Sequence, residues 1–89
     1  MKLLYKKSFI KSYQDLSPKL RDKVKNVLQI FMDNPTDKEL RNHWLEWKYK
    51  WQRSIDVTGD LRIIFKELSN WKYEIVELYN VWTHSQLYK

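Results

Sequence analysis

The apolar positions of this chain change period along its length, and the changes divide it into elements. Leu20, Val24, Val27, Leu28 and Phe31 recur at i, i+4, i+7, i+8 and i+11, with Lys19, Asp22, Lys23, Asn26 and Gln29 largely elsewhere. That is one stripe of a 3.6-residue helix. Ser17-Pro18 opens it, since serine caps free amides and proline suits the first helical position. Asn34-Pro35 closes it, because the residue before proline is driven out of the α region. Phe9, Tyr13 and Leu16 follow Ser8 at helical spacing, so a first helix capped by Ser8 is predicted over 8–16 and a second over 18–33. This helical hairpin carries an apolar stripe that has to cover a sheet.

The period then drops to two. Residues 51–57 and 61–66 read as strands joined by Thr58-Gly59-Asp60, which contains the only glycine of the chain. Glycine reaches φ > 0 without steric cost and aspartate tolerates it, so the unit is predicted to be a β-hairpin. A three-residue loop sets Val57 opposite Leu61, Ile55 opposite Ile63 and Arg53 opposite Phe65. One face is then mostly apolar, and the other carries Ser54, Asp56, Arg62 and Ile64, with Asp56 across from Arg62. Such a sheet suits cover on a single side, with the chemistry on its charged face. Leu3-Leu4-Tyr5 is a candidate first strand. Residues 43–51 alternate four aromatics with polar residues and read as an edge strand or an ordered loop. A turn at 67–70 leads to a long strand over 71–81, whose two faces are both mixed. The architecture is α+β in one domain over 1–89. Its order is β-α-α-β-β-β, a helical hairpin on one face of a small twisted antiparallel sheet.

Eighty-nine residues with 43% apolar and 16% aromatic side chains are enough for one core without staples. The absence of cysteine excludes disulfides and thiolate metal sites and fits a reducing compartment, so a cytoplasmic protein is expected. Apolar runs are too short for a membrane span, and the first residues are too charged for a secretory signal. The net charge of +6 is uneven, with +5 on residues 1–34. A basic helical hairpin favours an anionic partner, whether nucleic acid, an acidic protein or anionic lipid, and Lys19, Lys23 and Lys25 are its candidate contacts.

No phosphate-cradling glycine loop, nucleophile elbow or metal cluster is legible, so neither cofactor nor metal is expected. The polar residues left are Arg62, Asp56, Asp60, His43, His84 and Tyr88. Cleaving RNA without a metal needs a base for the 2′-hydroxyl, an acid for the leaving 5′-oxygen and a cation for the crowded phosphate. Arginine suits the last role and histidine the proton transfers. Taken singly, Arg62 reads as a cross-strand ion pair, His84 as a solvated side chain, Tyr88 as packing and the Trp/Tyr series as core or interface.

The ordered set of motifs changes that balance. Phe9, Leu16-Ser17-Pro18, Asn34-Pro35, His43-x-Leu45, Gly59-Asp60-Leu61-Arg62-Ile63-Ile64-Phe65 and Thr83-His84-Ser85-Gln86-Leu87-Tyr88 run through nearly the whole chain. In this order they resemble the RelE/ParE superfamily of type II toxins, most of all its YafQ-type branch. The resemblance implies a ribosome-dependent endoribonuclease that cuts messenger RNA and is held inactive by a cognate antitoxin. By position, His84 matches a general acid, Asp60 a base, His43 an assisting histidine, Arg62 the phosphate-supporting arginine and Tyr88 a terminal stacking aromatic. Asp56 stands where the branch often has histidine, Trp82 where it has glycine, and the glycine after His-x-Leu is missing near Trp47. Two alternatives use the same fold: a toxin that poisons DNA gyrase, and a catalytically inactive binding module.

Overall fold

The computed structural model describes residues 1–45 and 50–87, with the backbone alone at His84 and Leu87. Its elements are β1 (Lys2–Tyr5), α1 (Lys7–Gln14), α2 (Pro18–Asp33), a 3-10 turn (Lys38–Leu40), β2 (His43–Trp44), β3 (Arg53–Asp56), β4 (Leu61–Glu67), β5 (Ile75–Thr83) and α3 (His84–Leu87). The strands form one sheet in the order β1-β5-β4-β3-β2. β1 runs parallel to β5, and the other neighbours are antiparallel.

The helical hairpin forms as its pattern requires. Ser17 caps α2 by accepting from the Leu20 amide at 3.3 Å, and Pro18 opens the helix. Val24, Leu28 and Phe31 are buried against Ile55, Ile63, Phe65, Val76, Leu78 and Val81 of the sheet. Phe31 meets Phe65 edge-on with ring centroids 5.0 Å apart. Ser8 is not a helix cap: Lys6 holds that place without a side-chain bond. Ser8 instead donates its hydroxyl to the Tyr79 carbonyl at 2.7 Å, and Ser12 Oγ accepts from the Val81 amide at 3.1 Å. The cause is the short β1, which pairs with β5 only as far as Leu78. Beyond it the edge of β5 needs other hydrogen-bond partners, and the serines of α1 supply them.

The central hairpin has the expected register, with Arg53 opposite Phe65, Ile55 opposite Ile63 and Asp56 opposite Arg62. Its turn closes differently. Gly59 has no positive φ. Thr58 Oγ1 accepts from the Asp60 and Leu61 amides at 3.2 and 2.9 Å, so a side-chain-closed turn replaces the left-handed one. The first strand of the pair begins at Arg53 rather than 51, because Trp51 is left-handed at φ 66°.

The predicted strand over 71–81 begins only at Ile75. The Glu67 carboxylate gathers the amides of Ser69, Trp71 and Tyr73 at 2.9, 2.6 and 2.9 Å, together with the Ser69 hydroxyl. Amides pointed at one carboxylate cannot also serve a neighbouring strand, and Asn70, Trp71 and Tyr73 adopt positive φ to reach it. Within β5, Asn80 pairs with Ile64 while Leu78 pairs with Phe65, so Tyr79 is the extra residue of a bulge. The bulge shifts the phase of the strand. Val76, Leu78 and Val81 can therefore all face the helices, which explains the mixed faces read from sequence.

The opposite face is not left bare. Ser54 and Ile64 are fully buried, and Leu45, Tyr79 and Trp82 gather around Ile64 in a second small core. No helix among the described residues is long and apolar enough to cross a membrane.

Candidate functional site

The candidate site lies on the sheet face turned away from the helices, and strand register sets its rows. His43 of β2 pairs with Ser54 of β3, which pairs with Ile64 of β4. Two residues along, Asp56 pairs with Arg62, which pairs with Trp82 of β5. At the end of the sheet, Leu61 pairs with Thr83, so Asp60 and His84 adjoin the same terminal pair. The His43 and Asp60 rows are separated by four residues, about 13 Å at the strand rise. Arg62 stands midway between them.

His43 is fixed at both ring nitrogens. Its Nδ1 lies 2.5 Å from the Arg41 carbonyl oxygen, which can only accept, so the proton is assigned to Nδ1. Nε2 is then the basic nitrogen in the neutral ring, and it faces Ser54 Oγ at 3.3 Å. The segment before His43 is anchored in turn. Asn42 Nδ2 donates to the Pro35 carbonyl at 2.9 Å and to the Tyr73 hydroxyl at 3.0 Å. Arg53 Nε donates to Asn42 Oδ1 at 2.6 Å, and its guanidinium lies over the Trp44 ring at 4.7 Å.

Arg62 and Asp56 lie on the charged face that the sequence leaves without helical cover, yet both are largely covered, with side chains 14% and 13% exposed. Arg62 Nη1 donates to Asp56 Oδ1 at 2.7 Å. Trp82 is the cross-strand partner of Arg62 and packs in the small core on this face. Arg62 Nε is buried and has no hydrogen-bond partner among the described residues. A second cation, Arg41, reaches the other oxygen of Asp56, with Nη1 3.4 Å from Oδ2.

Asp56, Arg62 and His43 thus share one face, and Asp60 stands at its rim. The side chain of His84 and all of Tyr88 lie outside the described residues, as does Trp47; the backbone places His84 at the start of α3, directly after β5. Lys19, Lys23 and Lys25 are exposed on α2, across the sheet from Arg62, so they and Arg62 do not meet one phosphate. Trp44 and Arg53 also belong to the helix-side face, one residue out of step with His43 and Ser54. Sequence reasoning missed Arg41 and the pairing of Ser54 with His43. The Ser54 contact follows once β2 is laid beside β3, whereas Arg41 reaches Asp56 through a left-handed residue, φ 49°, that nothing in its type announces. Among the described residues no group of three His, Cys, Asp or Glu converges as a metal site.

No protein-family model matches the sequence, and no curated protein matches it. Solved structures match the fold over almost the whole chain. YafQ from E. coli strain BL21(DE3) superposes with a TM-score of 0.78 at 20% identity, covering 99% of this chain and 98% of that one. The YoeB/ParE toxin from Agrobacterium tumefaciens gives 0.75 at 16%, covering 94% and 99%. The E. coli DinJ–YafQ toxin–antitoxin complex gives 0.76 at 19%, covering 99% and 97%. The fold is therefore the RelE-like one expected from the motifs, shared with YafQ and YoeB/ParE toxins.

Proposed function

We propose that this chain is the toxin of a type II toxin–antitoxin pair, an endoribonuclease that cuts messenger RNA on the ribosome without a metal. The observation that supports it most is the sheet face itself. A largely buried arginine, Arg62, stands midway between a tautomer-fixed histidine, His43, and the rim that carries Asp60 and the start of α3 at His84.

The chemistry divides among these groups. A base, His43 Nε2 or the Asp60 carboxylate, takes the proton of the 2′-hydroxyl. The 2′-oxygen attacks phosphorus, and the bond to the 5′-oxygen breaks. His84 protonates that leaving oxygen, Arg62 offsets the charge building on the phosphate, and Tyr88 stacks on a base. The 3′ end of the upstream fragment becomes a cyclic phosphate, and each proton has a donor and an acceptor within the protein. The antitoxin reading rests on the +6 charge together with the fold match to YafQ in its complex with DinJ. An acidic segment is the partner such a surface favours.

Primer extension on message incubated with ribosomes and purified variants tests the site. Arg62→Lys, which keeps the charge beside Asp56, and His84→Gln should each lower cleavage by ~10²–10³ or more. Full cleavage by both variants would remove this site from consideration. DNA damage on expression, with messenger RNA intact, would select a gyrase poison instead.

A further inference from the structure

The structure assigns Asp56 a role beyond pairing with Arg62: it occupies the anion seat of a two-arginine clamp, and a phosphodiester of single-stranded RNA competes with it for that seat. This rests on the nuclease reading and adds a brake to the same site. The two oxygens of Asp56 each meet a different guanidinium, Oδ1 with Arg62 at 2.7 Å and Oδ2 with Arg41 at 3.4 Å. A guanidinium fork recognises carboxylate and phosphate oxygens by the same planar geometry, so the carboxylate fills a place built for either anion.

The two jaws differ. Arg62 is the inner one, 14% exposed, with a buried Nε that no described group uses. Arg41 is the outer one, 70% exposed and more loosely paired. Its backbone is held, because His43 Nδ1 donates to its carbonyl, while its long side chain extends into solvent. Arg41 can therefore turn from Asp56 to an incoming phosphate while Asp56 keeps Arg62 in place. Two cations and one carboxylate leave a net positive seat, so RNA is still attracted, but less than an unopposed pair of arginines would attract it. A protein held this way binds stray RNA weakly and depends on another surface, such as a ribosome, to bring the phosphate to the clamp.

The test measures binding without chemistry. A short single-stranded RNA, 2′-O-methylated throughout so that it cannot be cut, is titrated by fluorescence anisotropy at several salt concentrations, with inorganic phosphate as competitor. Asp56→Asn should bind about tenfold tighter, a factor between those set by bulk-water and protein-surface dielectrics. Adding Arg41→Gln to Asp56→Asn should abolish the gain. Arg41→Gln alone, at an exposed position that folding does not depend on, should weaken binding. It should also flatten the slope of log K against log salt by about 0.7, one phosphate contact on a single strand. Equal or weaker binding by folded Asp56→Asn would overturn the clamp. So would an unchanged salt slope in Arg41→Gln, which decides the matter if Asp56→Asn does not fold. Competition by phosphate alone at the same strength as by the strand would mark a simple anion seat rather than an RNA clamp and would also overturn it. Tighter binding by Asp56→Asn with no ribosomal cleavage by the native protein would keep the clamp and remove the nuclease reading.

Discussion

Replacing Arg62 by alanine should cost the fold about 2–3 kcal/mol, before any effect on chemistry. Exposed ion pairs contribute about 0–1 kcal/mol, and breaking a fully buried one costs about 3–5. The Arg62–Asp56 pair is short, 2.7 Å, and its side chains are 14% and 13% exposed. It lies nearer the buried limit, and Arg41 at 3.4 Å leaves Asp56 one remaining cation, which reduces the cost. A native domain is stable by about 5–15 kcal/mol, so this is a large share of it. The melting temperature should fall by about 10–20 °C. Loss of toxicity by Arg62→Ala in cells would therefore report on folding as much as on phosphate binding. Urea unfolding followed by tryptophan fluorescence gives the free energies, and a cycle with Asp56→Ala and the double variant isolates the pair. Asp56→Ala should cost a similar amount, because it leaves a second donor of Arg62 unpaired beside Nε. The double variant should cost less than the two single ones together by at least ~1 kcal/mol. A loss below ~0.5 kcal/mol for Arg62→Ala, or an additive cycle, would mean that the pair is solvated and the estimate wrong.

Gly59→Ala should stabilise the protein by about 0.4–1 kcal/mol, since Gly59 has no positive φ and an added Cβ would meet nothing within 4 Å; destabilisation in urea would show that the turn needs glycine after all. At Glu67, burial pushes the carboxyl pKa up, but hydrogen bonds from the Ser69 hydroxyl and the Trp71, Tyr73 and Ser69 amides together outweigh it and hold the pKa below its ordinary value. A depressed folded pKa means stability that is complete above the unfolded value, roughly pH 4.3, and lost as pH falls through the folded one. Melting curves across that range should therefore fall more steeply for the native chain than for Glu67→Gln, and parallel curves would refute the assignment. Replacing Lys19, Lys23 and Lys25 together by glutamine should weaken ribosome binding and flatten its salt dependence while leaving Arg62 and Asp56 untouched; unchanged affinity and slope would put the docking surface elsewhere.

What the sequence by itself determined was local or periodic. The stripe from Leu20 to Phe31, the Ser17-Pro18 start and the Asn34-Pro35 stop specify α2, because capping and helical spacing involve neighbours along the chain. The alternation around residues 57–61 specifies the β3–β4 register, because a one-residue slip would turn Ile55 and Ile63 to the wrong face. That register already put Asp56 opposite Arg62, so the centre of the candidate site was legible. Tertiary structure alone decided the rest. Ser8 lost its expected cap to a strand edge seventy-one residues away. Glu67 drew residues 71–73 out of the strand predicted there, since a carboxylate collecting three amides fixes backbone that propensity leaves open. The bulge at Tyr79 shifted the phase of β5, so that Trp82 came to lie across from Arg62 on the face away from the helices. Arg41 came to Asp56 through one left-handed residue. Each of these depends on a partner distant in sequence or on a backbone conformation disfavoured by residue type, and neither leaves a trace in the order of apolar and polar positions.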